Sequence, residues 1–168
     1  GSWIPLEQIA NVTMSCAYVQ PTTSGGIQVK TANLTYVTGN MIASVLSTAG
    51  MKNCNVVAAA PFAVSGTGAL TGVMIAYQNA TGTVLKESRR ELAIREYTIT
   101  QRLSVIIEER EALQLINALK MELIHAGVTA QDTAQIQMIV NQVINNVEQN
   151  IQIQYGGEQK LPDDVVQM

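Results

Sequence analysis

The first clear pattern in the chain is a pair of segments in which apolar and polar residues alternate. They cover Met14 to Gln20 and Ile27 to Tyr36, and both are rich in strand-forming residues. Strict alternation predicts β-strands that bury one face. Because Pro21 to Gly26 is a cluster of turn residues, we expect the two strands to pair as an antiparallel hairpin.

The pattern then changes to helical spacing and back to a strand. Thr38 is a candidate N-cap, and Gly50 is expected to end the helix. The apolar stripe between them consists of Met41, Ile42, Val45, Leu46 and Ala49. Cys54 to Ala60 is continuously apolar, which is typical of a buried central strand, and Pro61 is expected to end it. The order strand, helix, strand predicts a right-handed crossover.

A second helix is predicted from Ser65 to about Ala80, with Gly82 as its stop. Leu70, Val73, Met74 and Tyr77 are expected to face inward. The three glycines on its opening turns, Gly66, Gly68 and Gly72, disfavour a helix, so we expect them to allow close backbone packing.

The remaining chain is predicted to be helical. Lys86 to about Tyr97 carries mixed charges, which indicates a solvated helix, and Thr98 and Thr100 suggest a break. Helical spacing resumes at Gln101, with apolar positions at Leu103, Ile106, Ile107, Leu113, Ile116, Leu119, Leu123 and Ile124. After Gly127, a last helix is predicted from Ala130 to about Asn150. Its stripe is Ile136, Ile139, Val140, Val143, Ile144 and Val147.

Together these elements predict an α+β fold. We expect a small mixed sheet, formed by the hairpin and the β-α-β crossover, to be packed by helices and followed by a C-terminal helical bundle. The expected division is an α/β sheet subdomain over 1–85 and a helical subdomain packed on it over 86–168. We expect the chain to be one fragment of a longer secreted protein.

Charged residues are unevenly distributed. Residues 1–85 contain only Glu7, Lys30 and Lys52, whereas fourteen charged residues lie between Lys86 and Glu122. The net charge of −3 gives no basic surface for nucleic acid. A surface of hydroxyls and amides is cheap to desolvate against a partner, because few ions must lose their water. Simple composition bias is the alternative explanation.

Three runs resemble a known family: Val29 to Thr38, Val56 to Gly72, and Ala76 to Gly82. The most specific block begins at Pro61 and reads Pro-Phe-x-Val-Ser-Gly-Thr-x-Ala-Leu-Thr-Gly. These residues resemble the YpuA-like family of predicted secreted proteins of unknown function from Firmicutes. The resemblance implies export from a Gram-positive cell and an extracellular or cell-wall setting, and it brings no known catalytic residues. The last helix departs from the family in having Gln and Asn where Glu and Lys are usual.

One loop is a candidate anion site. Ser65, Gly66, Thr67 and Gly68 form a turn before a predicted helix, where backbone N–H groups can hold an anion. A phosphate loop would place a Lys after its last Gly, but Val73 follows Gly72 here. Helix capping with tight packing is the alternative interpretation.

The other reactive side chains are few. Cys16 and Cys54 could form one disulfide or remain two separate thiols, and neither has a neighbour at metal-ligand spacing, so no metal site is predicted. His125 precedes Gly127, where a cation favours the helix dipole. The charge run at Glu108 to Glu111 is typical of a solvated helix junction.

The sequence therefore predicts a non-catalytic secreted or cell-surface module that binds a protein, with a host protein such as immunoglobulin as one concrete partner. The first alternative is an envelope-maintenance protein that binds cell-wall polymer or another secreted protein. The second is an enzyme with an unfamiliar site around Ser65, Thr67 and His125. No cofactor, nucleic acid or membrane span is predicted for this fragment.

Overall fold

The computed structural model describes residues 15–35 and 37–155, and it has the predicted α+β fold. The strands are β1 (Cys16–Pro21), β2 (Ile27–Thr35) and β3 (Cys54–Ser65). The helices are α1 (Gly39–Thr48), α2 (Thr67–Thr81), α3 (Glu87–Ile106), α4 (Glu109–Ala126) and α5 (Thr133–Tyr155). Met14 and Tyr36, at the outer limits of the two alternating segments, lie outside the described residues.

The sheet is small and mixed, but the predicted hairpin is wrong. The strand order is β1-β3-β2, so β3 lies between the two strands that were expected to pair. β1 is antiparallel to β3, and β2 is parallel to it. The most apolar strand takes the centre, where it is covered on both edges. The segment Thr22 to Gly26 is long enough to pass the end of β3, since two strand spacings amount to about 10 Å.

The predicted β-α-β unit is present as β2, α1 and β3. The Met41 N–H donates to the Thr38 hydroxyl over 3.4 Å, which confirms Thr38 as the N-cap of α1. Gly50 ends the helix with a φ of 92°, a left-handed conformation that favours glycine. Met41, Ile42, Val45 and Leu46 are buried, as the apolar stripe predicted.

β3 continues past Pro61, contrary to the expectation that proline ends it. Its pairing with β1 extends to the pair Cys16 and Ala59, and its pairing with β2 shifts between Ala32 and Leu34. Pro61 therefore lies in a β-bulge, where a missing N–H costs no regular ladder bond. Asn33 turns this bulge with a φ of 58°, and its Nδ2 donates to the Ala60 carbonyl over 2.8 Å.

α2 begins two residues later than predicted and ends at Gly82 as expected, with a φ of 67°. Its four predicted inward residues are all buried: Leu70, Val73, Met74 and Tyr77. A methyl group on Gly72 would lie 3.6 Å from the Ala17 Cβ of β1, which is an ordinary van der Waals distance, so this contact does not require glycine. The close approach expected at the glycines is found instead at Gly66, where a methyl group would lie 2.6 Å from Val37 Cγ2.

α3 differs most from its prediction. It is continuous through Thr98, whose hydroxyl donates to the Ile94 carbonyl of the same helix over 3.0 Å, so no break occurs there. It is also not a solvated helix throughout, because Ala93, Ile94 and Tyr97 belong to the core of the sheet region. The mixed charges concealed this narrow apolar stripe.

The chain divides into two compact units, 1–98 and 99–168, so α3 begins in the first and ends in the second. In the second unit the end of α3, α4 and α5 share an apolar cluster. Its buried members are Leu103, Ala112, Leu115, Ile116, Val143, Ile144 and Val147. The stripe of α5 is confirmed for its second half. The inward positions predicted for Ile106 and Ile124 are wrong, since both side chains are exposed. Within 15–35 and 37–155, no helix is both long and apolar enough for a membrane span.

Candidate functional site: the open face of the sheet

The open face of the sheet is the face opposite the one that packs on α1 and α2. Its side chains form three rows, because the register places one residue from each strand side by side. The central row is Tyr18, Val57 and Lys30. The row nearest the β1–β2 connection carries three carboxamides: Gln20, Asn55 and Gln28. The third row has small side chains: Cys16, Ala59 and Ala32.

Strand alternation explains why this face is open. The residues between these rows point inward, and Val19, Val56 and Ala58 are buried in the core with residues of α1 and α2. On the outer face, by contrast, Tyr18 is 61% exposed and Val57 is 41% exposed. Phe62, which follows on β3, is 53% exposed. One face of the sheet is thus packed, and the other presents an aromatic ring and a β-branched side chain to solvent.

The open face has little charge. Lys30 is the one side chain in the central row that is charged at neutral pH, and the neighbouring row offers only neutral amides. A partner that covers this face must displace water from one ammonium group, which can remain at the rim on its flexible stem. The outer face is therefore suited to contacts with an uncharged or weakly acidic surface.

The edge of β2 is less suited to binding a strand. The Cys54 N–H donates to the Gly26 carbonyl over 3.0 Å, and in a parallel ladder this register directs the backbone groups of Ile27, Val29 and Thr31 away from β3. A methyl group on Gly39 would lie only 2.6 Å from the Val29 carbonyl oxygen. The start of α1 thus closes the middle of this edge.

In the candidate anion loop, one glycine is closely packed. β3 ends at Ser65 and α2 starts at Thr67, so the loop is at a helix N-terminus as predicted. Gly66 is buried, and a methyl group there would lie 2.6 Å from Val37 Cγ2, which requires glycine. The side chains of Ser65 and Thr67 lie outside the described residues. Gly68 is half-buried in the first turn of α2. Anion binding at this loop stays a prediction.

Cys16 and Cys54 are separate free cysteines on opposite faces of the sheet. Cys16 is exposed beside Ala59, while Cys54 is buried opposite Pro21. The Cys16–Ala59 pair and the Pro21–Cys54 pair are five residues, or about 17 Å, apart along β1. A disulfide needs Cα atoms within about 7 Å of each other. The register therefore does not permit the candidate disulfide. Burial raises the pKa of the Cys54 thiol and makes it a poor nucleophile.

His125 and the acidic run lie at the two ends of α4. His125 is exposed in the last turn before Gly127, whose φ is 62°, so it lies at the predicted helix C-terminus. Glu109 and Glu111 lie in the first turn, where carboxylates complement the helix dipole. Glu111 is buried, so this junction is less solvated than predicted. Ser65 belongs to the first unit and His125 to the second.

The sequence indicated each row of the open face only in part. Alternation in β1 placed Tyr18 and Gln20 on one face, and the lysine and glutamine of β2 showed the same signal. The continuous apolar run of β3, however, predicted burial on both faces. The exposed position of Val57 became visible only with the strand order.

Comparison with known proteins supports the family resemblance. Residues 1–163 match the family described as "Protein of unknown function (DUF1002)". The chain is also similar to "Uncharacterized protein YpuA" of Bacillus subtilis (strain 168), with 34% identity over 129 residues. That alignment covers 76% of this chain and 44% of the relative, so the chain spans less than half of that protein's length. No solved structure matches the chain. The chain belongs to this YpuA-like family, whose function is unknown.

Proposed function

We propose that the chain is a non-catalytic, secreted or cell-surface module that binds another protein through the open face of its sheet. The observation that carries the proposal is the exposure of Tyr18 and Val57 side by side on a face with a single charge. Exposed aromatic and β-branched side chains on a rigid sheet lose little entropy when a partner covers them. Export is supported only by the family resemblance.

The size of the face helps to define the partner. The three strands and three rows cover an area of roughly 10 by 14 Å. This is far below the ~800 Å² that each partner buries in a standard interface. A protein partner that binds through this face must therefore also contact surface beyond the three rows. The partner we propose is a different protein, with a shallow apolar ridge that covers Tyr18 and Val57 and an acidic group near Lys30. Secreted host proteins, immunoglobulins among them, are the first class to test.

The experiment compares capture by the whole chain and by two variants. Tyr18→Ser combined with Val57→Lys removes the two apolar side chains of the central row. Val84→Lys is the matched control, because Val84 is 83% exposed in the loop between α2 and α3. A partner that is recovered by both wild type and the control is then purified. It should bind the Tyr18→Ser, Val57→Lys variant at least about tenfold more weakly than wild type, which is the loss expected for interface anchors. Equal affinity for all three chains contradicts the proposal.

A wall polymer is the second candidate ligand, and one observation favours it. The exposed Tyr18 ring lies next to a row of three carboxamides, and such amides can donate to and accept from sugar hydroxyls. Co-sedimentation with purified peptidoglycan, followed by Gln20→Ala and Asn55→Ala, distinguishes this ligand from a protein. The enzyme alternative predicts that Ser65→Ala or His125→Ala abolishes a measurable turnover, whereas the binding proposal predicts unchanged capture by both variants.

A further inference from the structure

A separate concave site lies on the α1 side of β2, away from the open face. It is a cavity of about 420 Å³ between the beginning of β2, the second half of α1 and the α1–β3 connection. Its walls include Ile27, Ala43, Ser47, Met51 and Lys52. This volume lies within the range of about 300–1,000 Å³ that is usual for ligand sites. The mixture of apolar walls and a few polar groups is also typical of such sites.

Hydrogen bonds from the side chains of Asn53 and Tyr77 hold the rim of the cavity in place. Asn53 Oδ1 accepts from the Gly26 N–H over 2.9 Å, and its Nδ2 donates to the Thr23 carbonyl over 3.3 Å. On the other side, the Lys52 N–H donates to the Tyr77 hydroxyl over 3.3 Å. These bonds fix the β1–β2 connection and the α1–β3 connection at the rim of the cavity, so a ligand would meet a largely preformed site.

Ile27 offers main-chain hydrogen bonding at this cavity. Its N–H and C=O point away from β3, by the same ladder register that directs Val29 outward. Gly39 covers the Val29 carbonyl, whereas Ile27 lines the open cavity. An extended chain can therefore make one pair of backbone bonds at Ile27 before the start of α1 blocks it.

One lysine lines the cavity, and one arginine lies near the same connection. The lysine is Lys52, and Arg89 Nη1 would lie 3.4 Å from a methyl group on Gly50, two residues before that lysine. Among the described residues, neither cation forms an ion pair within 4.0 Å. The exposed Ser47 hydroxyl adds a donor on the same wall. The site thus complements an acidic group.

We propose that this cavity binds a short, extended acidic segment of a polypeptide, with its backbone paired to Ile27 and its carboxylate bound by Lys52 and Ser47. A small aliphatic side chain of the ligand would contact Ala43 and Met51. This site goes beyond the partner surface on the open face and does not depend on it.

The test uses the whole isotope-labelled chain and two blocked tripeptides, alanine-glutamate-valine and its glutamine counterpart. The glutamate peptide should shift the amide resonances of Ile27, Ser47 and Lys52. The glutamine peptide should bind about two- to fivefold more weakly, as expected for one exposed ion pair. Lys52→Glu should weaken binding of the glutamate peptide further, and Ala43→Met should abolish its binding by filling the cavity.

Lys30→Glu is the matched control, because it makes the same charge change on the open face and should leave binding unchanged. The proposal is overturned if these resonances do not move at millimolar peptide, or if Lys30→Glu weakens binding as much as Lys52→Glu. Shifts confined to Tyr18 and Val57 also overturn it, since they would assign the peptide to the open face.

Discussion

The two units of the chain bury their apolar residues to different extents. In the first unit, large side chains such as Met41, Leu70 and Met74 have no solvent exposure. In the second core, Leu115 is comparably buried, but Ile116 and Val147 keep 9% of their surface exposed. The Met138 side chain of α5 is 65% exposed and lies outside that core. The first core lies between the sheet and the helices α1, α2 and α3. The second core is formed by the end of α3, α4 and α5 alone. We infer that stability is concentrated in the unit that carries the open face.

The largest expected effect comes from Leu70→Ala in the first core. Removing a wholly buried leucine should lower the free energy of unfolding by about 3–5 kcal/mol, because the packed neighbours cannot close the cavity. Hydrogen exchange measured residue by residue should show lost protection across the described part of the first unit. Met138→Ala is the control and should change stability by less than about 0.5 kcal/mol. Equal losses for the two variants would contradict the role of Leu70 in the first core.

The next largest effect is expected from the hydrogen bonds between α1 and α3. Glu96 is 9% exposed and accepts hydrogen bonds from Ser44 over 2.9 Å and from Thr48. Glu96→Ala should therefore cost about 1–3 kcal/mol, since it leaves two hydroxyls of α1 without this acceptor. The exposed Glu91→Ala is the matched control, and urea unfolding gives the comparison. A neutral Glu96→Ala would show that these bonds do not hold α1 and α3 together.

Two glycines offer a finer test within the first unit. Gly66→Ala should cost about 1–3 kcal/mol, because the new methyl group meets both Cγ2 and Cβ of Val37 at less than 3 Å. Gly72→Ala has room beside Ala17 and should instead stabilise α2 by about 0.5–1 kcal/mol. Thermal unfolding should shift in opposite directions for the two variants. Destabilisation by Gly66→Ala should be partly relieved by Val37→Ala.

The smallest effect belongs to the second unit and depends on pH. Bonds from the Thr129 N–H and hydroxyl, at 2.7 and 2.8 Å, hold the pKa of the Asp132 carboxyl below its ordinary 3.8. A lowered folded-state pKa stabilises the start of α5 above pH 3.8, and this contribution is lost as the pH falls through the folded value. An NMR titration of Asp132 and Thr129 checks this. Asp132→Asn should weaken the turn at neutral pH and make no difference once the carboxyl is protonated.

Prediction from sequence succeeded where local signals sufficed. Thr38, Gly50, Gly82 and Gly127 mark helix ends through capping chemistry, and these four positions are confirmed. It failed where the answer depends on competition between distant segments. The pattern of β1 and β2 fitted a hairpin, but the more apolar β3 occupies the centre.

The candidate site was less predictable for the same reason. The rows Tyr18–Val57–Lys30 and Gln20–Asn55–Gln28 exist only because β3 is inserted between β1 and β2. A hairpin would have placed the side chains of β1 and β2 next to each other, without Val57 between them. Likewise, the cavity beside Ile27 depends on Gly39 and α1, which no local motif brings to the edge of β2.

Site-specific photocrosslinking shows directly whether a partner covers the open face. A photoreactive phenylalanine analogue is placed at Val57, in the middle of the open face, or at Val84, which is 83% exposed in the loop after α2. In serum and in cell-envelope extract, we expect one discrete crosslinked protein for position 57, which is absent for position 84 and suppressed by Tyr18→Ser. The same crosslinked species at both positions, or none at position 57 while the whole chain still captures a partner, would contradict the proposal.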